Sequence, residues 1–61
     1  MNTSDELKKL LKLWAVLLDK DPRSVMYDTM RELKIETFKN NEQAQRLAVT
    51  YLKHKLERDD E

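Results

Sequence analysis

Apolar side chains recur with helical spacing in three stretches of this chain. In the first stretch, apolar residues recur with helical spacing from Leu7 through Trp14 to Leu18, and Lys8, Lys9 and Lys12 occupy the opposite side. Such spacing, close to 3.6 residues, places the apolar side chains on one face of an α-helix. The pattern predicts a first helix over about residues 4–18. Its predicted buried face consists of Leu7, Leu10, Leu11, Trp14, Leu17 and Leu18.

Capping residues mark where the first two helices begin. Thr3 and Glu6 have the spacing of a capping box, in which each side chain satisfies a backbone N–H left free at the helix start. Asp21 is a good N-cap, and Pro22 suits the first helical position because its missing N–H costs nothing there. A second helix is therefore predicted over residues 22–34. Its predicted apolar stripe is Met26, Met30 and Leu33, with Val25 and Tyr27 on the flanks.

A third helix is predicted over residues 42–58. Its N-cap is Asn40 or Asn41, and Asn40 has capping-box spacing with Gln43. Two adjoining stripes predict a broad apolar face. One stripe is Ala44, Leu47, Ala48 and Tyr51, and the other is Val49, Leu52 and Leu56. Residues 59–61 are all acidic, and we expect them to form a frayed tail.

The segment that joins the second and third helices, residues 35–39, permits two interpretations. Its β-branched and aromatic side chains allow a short extended segment. Such a segment could pair only with its own copy in another molecule, because the chain offers no other strand. The preferred interpretation is a plain connection in which Ile35 and Phe38 plug the core. The whole pattern predicts an all-α fold, a single three-helix domain over residues 1–61.

Apolar residues surround the second half of the first helix, from Leu13 to Leu18. A chain of 61 residues without cysteine has a small core and no disulfide to support it. One interpretation is that a compact bundle encloses all of these side chains. The favoured interpretation is that the surplus closes a symmetric helical homodimer or docks on a larger protein. The predicted interaction surface comprises Leu13, Trp14, Val16, Val49, Tyr51, Leu52 and Leu56.

The chain offers little for catalysis. His54 is the only histidine, there is no cysteine, and Glu57 is the only carboxylate that shares a helical face with His54 one turn away. Zinc sites usually need three or four protein ligands, and phosphate-cradling loops need glycines, of which the chain has none. We therefore expect no enzymatic activity, no metal and no cofactor.

Residues 15–25, Ala-Val-Leu-Leu-Asp-Lys-Asp-Pro-Arg-Ser-Val, resemble the helix-turn-helix families. A small residue and an apolar pair precede a three-residue turn, and Ser-Val follows at the start of the next helix. Asp19 stands where these families usually have glycine. The resemblance implies a DNA-binding transcriptional regulator whose recognition helix is the helix over residues 22–34. The implied nucleic-acid contacts are Arg23, Tyr27, Arg31 and Lys34.

The low net charge favours protein binding, with DNA binding as the alternative. Twelve basic and twelve acidic residues give a net charge of zero, and residues 1–58, with 12 basic and 9 acidic residues, carry +3. DNA-binding domains usually show a larger basic excess. The start of the chain lacks a signal-peptide pattern, and its six-residue apolar run is far below the roughly 20 residues of a membrane span. We expect a cytoplasmic regulator or adaptor that binds protein and no membrane.

Overall fold

Three α-helices make up the fold of the computed structural model, which describes residues 2–58. The helices are α1 (Thr3–Leu18), α2 (Pro22–Leu33) and α3 (Glu42–Arg58). Within residues 2–58 there is no strand, so the predicted all-α class and its three helices are confirmed. Two helix ends differ from the prediction by a single residue. The predicted acidic tail, residues 59–61, lies outside the described residues.

The core lies mainly between α1 and α3, and α2 packs more on α1 than on α3. Ala15 and Ala48 are almost completely buried, and side chains this small let neighbouring helices approach closely. Larger residues fill the space on either side of the alanines. The buried cluster consists of Leu7, Leu11, Ala15, Val25, Ala48, Val49 and Leu52, with Leu10, Trp14, Met26, Leu33, Phe38 and Tyr51 packed against it.

The face predicted for α1 is wrong at its C-terminal end. The buried residues of α1 are Leu7, Leu11 and Ala15, which follow each other at intervals of four residues. Leu17 lies about 200° around the helix from Ala15, because successive residues are about 100° apart. Its side chain is therefore half-exposed, and that of Leu18 is also exposed. The row of Leu7, Leu11 and Ala15 is the true inner face, and the predicted face omitted Ala15.

The buried faces of α2 and α3 also differ from the predicted stripes. Val25 and Thr29 are the buried residues of α2, whereas Met26, Met30 and Leu33 are half-buried. The Thr29 hydroxyl donates to the Val25 carbonyl at 2.8 Å, so this polar group is satisfied inside the core. Sequence periodicity missed Thr29 because it counts threonine as polar. In α3, Leu47 was predicted to be in a stripe and is half-exposed.

Asparagine side chains cap two of the three helices. The Asp5 backbone N–H donates to Asn2 Oδ1 at 2.9 Å, so Asn2 is the N-cap of α1. The predicted capping box is wrong because Thr3 already belongs to the helix. The Ala44 N–H donates to Asn41 Oδ1 at 3.2 Å, which selects Asn41 over Asn40. Asp21 precedes α2 as predicted but makes no side-chain cap hydrogen bond.

The connection between α2 and α3 contains no strand within the chain, as expected for a plain connection over residues 35–39. Phe38 packs against the core and Ile35 is half-buried. Gln45 Nε2 donates to the Phe38 carbonyl at 2.6 Å, and this hydrogen bond ties the connection to the first turns of α3. Phe38 is thereby held beside α1 and α2, where it lines a surface cavity together with Leu11 and Met26.

The first two helices end in left-handed residues that are not glycine. Asp19 has φ 56° and Lys34 has φ 57°. At the second of these ends, the Ile35 N–H donates to the Met30 carbonyl at 2.8 Å, and the Lys34 N–H donates to the Arg31 carbonyl at 3.3 Å. This pair of bonds is the Schellman pattern, in which glycine is the preferred left-handed residue.

Lys34→Gly is therefore expected to stabilise the protein. A left-handed residue with a Cβ atom costs roughly 1–2 kcal/mol, and glycine avoids that cost while losing some entropy on folding. We expect the free energy of unfolding to rise by roughly 0.5–1 kcal/mol in urea denaturation. Lys9→Gly, at an exposed site within α1, is the matched control and should lower it by about 1 kcal/mol. Destabilisation by Lys34→Gly would contradict the left-handed helix end.

Candidate interaction surfaces

An exposed apolar patch lies on the outer side of α1. It consists of Leu13, Val16 and Leu17, which we call the α1 patch. Their side chains are 50%, 75% and 51% exposed. Residues three and four positions apart are neighbours on a helix surface, so Leu13 lies next to both Val16 and Leu17. The apolar surface is therefore continuous and is not a set of scattered side chains.

The remaining residues of the predicted interaction surface lie deeper in the fold. Val49 and Leu52 are buried core residues, which corrects their placement on a surface open to partners. The physical reason is that α1 packs along this row of α3, so both side chains are already covered. Trp14, Tyr51 and Leu56 are half-buried. Of the seven predicted residues, Leu13 and Val16 are exposed, and Leu17 joins them.

Trp14 contributes mainly to packing between the helices. It packs against the buried cluster and lines, with Tyr51 and Val25, a cavity of about 120 Å³. Lys55 Nζ lies 5.4 Å from the centre of the Tyr51 ring, within reach of a cation–π contact. The two aromatic residues therefore lie at the edge of the core.

Three of the four predicted nucleic-acid contacts lie on the outer face of α2, and the fourth follows the C-terminal end of that helix. Arg23, Tyr27 and Arg31 are exposed and follow each other at intervals of four residues, so the structure brings them into one row. Lys34 is also exposed but follows the end of the helix in the left-handed conformation, outside that row. Asp19, at the turn position where the helix-turn-helix families usually have glycine, is left-handed as well.

A groove with a basic rim runs beside α1, and sequence reasoning missed it. Two cavities of about 130 Å³ and 160 Å³ adjoin each other there and share Lys8, Leu11 and Met26 as lining residues. The apolar residues that line them are Leu7, Leu11, Pro22, Met26 and Phe38. The charged residues that line them are Lys8, Lys12, Arg23 and Lys39, and none of the lining residues is acidic. We call this surface the basic groove.

The basic groove was missed because its parts are distant in sequence. Lys8 and Lys12 alone have the spacing of an ordinary solvated helix face. Arg23 begins α2 and Lys39 belongs to the connection before α3, and only the docking of α2 beside α1 brings them to one rim. The spacing of Lys8 and Lys12 on one side of α1 was the only sign of the basic groove in the sequence.

Ion pairs within residues 2–58 lie away from the basic groove. Lys53 Nζ and a Glu6 carboxylate oxygen are 3.2 Å apart and join α3 to α1. Arg46 and Glu42 are 3.0 Å apart within α3. Pairs this exposed contribute about 0–1 kcal/mol each. The four basic residues of the groove form no such pair with the described part of the chain, so their charges are available to a partner.

The histidine and the carboxylate considered for chemistry both lie on the surface of the third helix. His54 and Glu57 are both exposed on α3. Among the described residues, no three histidine, cysteine or acidic side chains are grouped so that they could hold a metal ion. Across the same residues, each helix is too short or too polar to cross a bilayer.

Comparison with known proteins adds no relative. The chain matches no protein-family model, no curated protein sequence and no solved structure.

Proposed function

We propose that the protein is a small, cytoplasmic, non-enzymatic interaction module that forms a homodimer through the α1 patch and acts as a regulator or adaptor. The observation that carries this proposal is the exposure of Leu13, Val16 and Leu17 together on one helix face. Fully burying a valine or leucine side chain contributes about 1.5–3 kcal/mol. Covering the exposed parts of three such side chains supplies a substantial driving force for association.

The size of a standard interface indicates how far the contact extends. Such an interface buries about 800 Å² on each partner. The protein has a total accessible surface of 4957 Å², so the contact takes up about a sixth of it. The α1 patch forms the centre of this area, and the half-buried Leu10 and Trp14 lie beside it on the same helix.

Size-exclusion chromatography with light scattering tests the homodimer. We expect a mass near twice 7.4 kDa at high micromolar concentration. A mass near 7.4 kDa across the accessible concentrations would contradict the homodimer.

A DNA-binding regulator is the second candidate function, and one observation favours it. Asp19 adopts the left-handed conformation at the turn where the resembled families usually have glycine, and Arg23, Tyr27 and Arg31 form an exposed row on the next helix. In this candidate, α2 is the recognition helix. The arginines are the residues suited to phosphates and base edges.

A labelled DNA duplex tests this candidate by a gel shift at low salt. Arg23→Ala and Arg31→Ala should weaken the shift, because each removes a charge from the outer row of α2. Arg46→Ala, at an exposed site on α3, is the matched control and should leave the shift unchanged. Absence of any shift at low salt would rule this candidate out, because even non-specific binding is strong there.

A further inference from the structure

The basic groove combines an apolar floor with a basic rim. Its floor is apolar, since Leu7 and Leu11 are core residues and Met26 and Phe38 are half-buried beside them. Its rim carries Lys8, Lys12, Arg23 and Lys39, with no acidic residue among those lining it. A ligand that complements both features has apolar groups on one side and negative charges along its edges.

We propose that the basic groove binds an acidic amphipathic helix of a partner protein. Two apolar side chains of that helix, one turn apart, enter the two adjoining cavities. Its aspartate and glutamate side chains flank the apolar pair and contact the four basic residues of the rim. Helix-in-groove recognition places anchors in this way, at positions i and i+3 or i+4.

The dimensions of the groove support this occupant. Both cavities open to solvent at the surface, and their volumes, about 130 Å³ and 160 Å³, are comparable with the enclosed cavity of about 150 Å³ that holds a benzene molecule. Each cavity is therefore of a size for one leucine or phenylalanine side chain. They share three lining residues and thus lie side by side, as two anchors on adjacent turns of a helix would require.

Nucleic acid fits this particular surface less well. A phosphate backbone would satisfy the basic rim, but its contacts are mostly hydrogen bonds and ion pairs to phosphate and sugar. The apolar floor formed by Leu11, Met26 and Phe38 would remain without a complementary group. The groove is also a different surface from the α1 patch, so this inference and the proposed homodimer can fail independently.

A labelled synthetic peptide tests the inference by fluorescence anisotropy with the full-length protein. The peptide has about 15 residues, enough for a helix, with leucine pairs at i and i+4 and glutamate and alanine elsewhere. We expect saturable binding that weakens as salt is added. A peptide with lysine in place of glutamate, and one with serine in place of leucine, should each bind at least about tenfold more weakly. Equal binding of the serine peptide would overturn the role of the apolar floor.

Paired variants locate the binding site. Lys8→Glu with Lys39→Glu reverses two charges of the groove, and it leaves the α1 patch and the outer row of α2 unchanged. We expect affinity for the glutamate peptide to fall at least about tenfold. Lys9→Glu with Lys20→Glu changes the net charge equally at exposed sites outside the groove, and it should change affinity less than about twofold. Circular dichroism checks that both variants are folded.

Three results would overturn the inference. One is the absence of glutamate-peptide binding at low salt. A second is loss of binding in the Lys9 and Lys20 variant with retention in the Lys8 and Lys39 variant, which would place the peptide outside the basic groove. The third is a DNA duplex that displaces the peptide and itself binds more weakly to the Lys8 and Lys39 variant, which would assign the groove to nucleic acid. Self-association, measured by light scattering on the same samples, reports separately on the proposed function.

Discussion

Leu52→Ala should lower the free energy of unfolding by about 2–5 kcal/mol, the range for truncating a fully buried leucine. Leu52 is 0% exposed and belongs to the cluster that joins α3 to the other helices. Truncation removes apolar contacts and leaves a cavity that the surrounding helices fill only in part. A core this small supplies only about 3–5 kcal/mol in total, so the variant should lose most of its stability.

Leu17→Ala is the matched control, because the same atoms are removed from a side chain that is 51% exposed. We expect a change in the free energy of unfolding below about 1 kcal/mol, as for most surface substitutions. Urea denaturation followed by circular dichroism measures both variants at a concentration where the protein is monomeric. Equal destabilisation by the two substitutions would mean that the division between the core and the α1 patch is wrong.

Val16→Glu should weaken self-association at least about tenfold, equivalent to about 1.4 kcal/mol. Val16 is the most exposed residue of the α1 patch, at 75%, so the substitution puts little strain on the monomer. At a dimer interface, the new carboxylate would lose its hydration in an apolar contact and would lack a designed partner. Sedimentation equilibrium of the wild type and the variant gives the two dissociation constants.

Thr50→Glu controls for the added charge, since Thr50 is exposed on α3 and outside both proposed surfaces. It should leave the dissociation constant unchanged within about twofold. If Thr50→Glu weakened association as much as Val16→Glu, net charge would be the cause and the contact would not be localised on α1. Urea denaturation of both variants checks that the monomer retains its stability.

Helix positions could be predicted from the sequence because local signals mark them. Pro22 follows Asp21 at a helix start, and an asparagine precedes the third helix. Both signals act within a few residues, so no tertiary contact is needed to recognise them. The rotation of each helix about its axis was less predictable. Ala15 and Thr29 carry weak hydrophobic signals, yet the close approach of the helices buries both.

The two candidate surfaces differ in how far the sequence indicated them. The all-round apolar run from Leu13 to Leu18 pointed to the α1 patch, because one side of a helix in a small bundle must face outward. Leu17 was assigned to the wrong side, since periodicity alone does not say where the partner helices dock. The basic groove arises from residues up to 31 positions apart, from Lys8 to Lys39, so only the tertiary fold assembles it.

The α1 patch as the self-contact surface is tested most directly by NMR amide shifts in a dilution series. Samples from about 1 mM to about 10 µM cover weak to moderate association constants. The proposed homodimer predicts concentration-dependent shifts at Leu13, Val16, Leu17 and their neighbours on α1, with the outer row of α2 unchanged. Shifts confined to α2 or α3, or a spectrum independent of concentration, would contradict it.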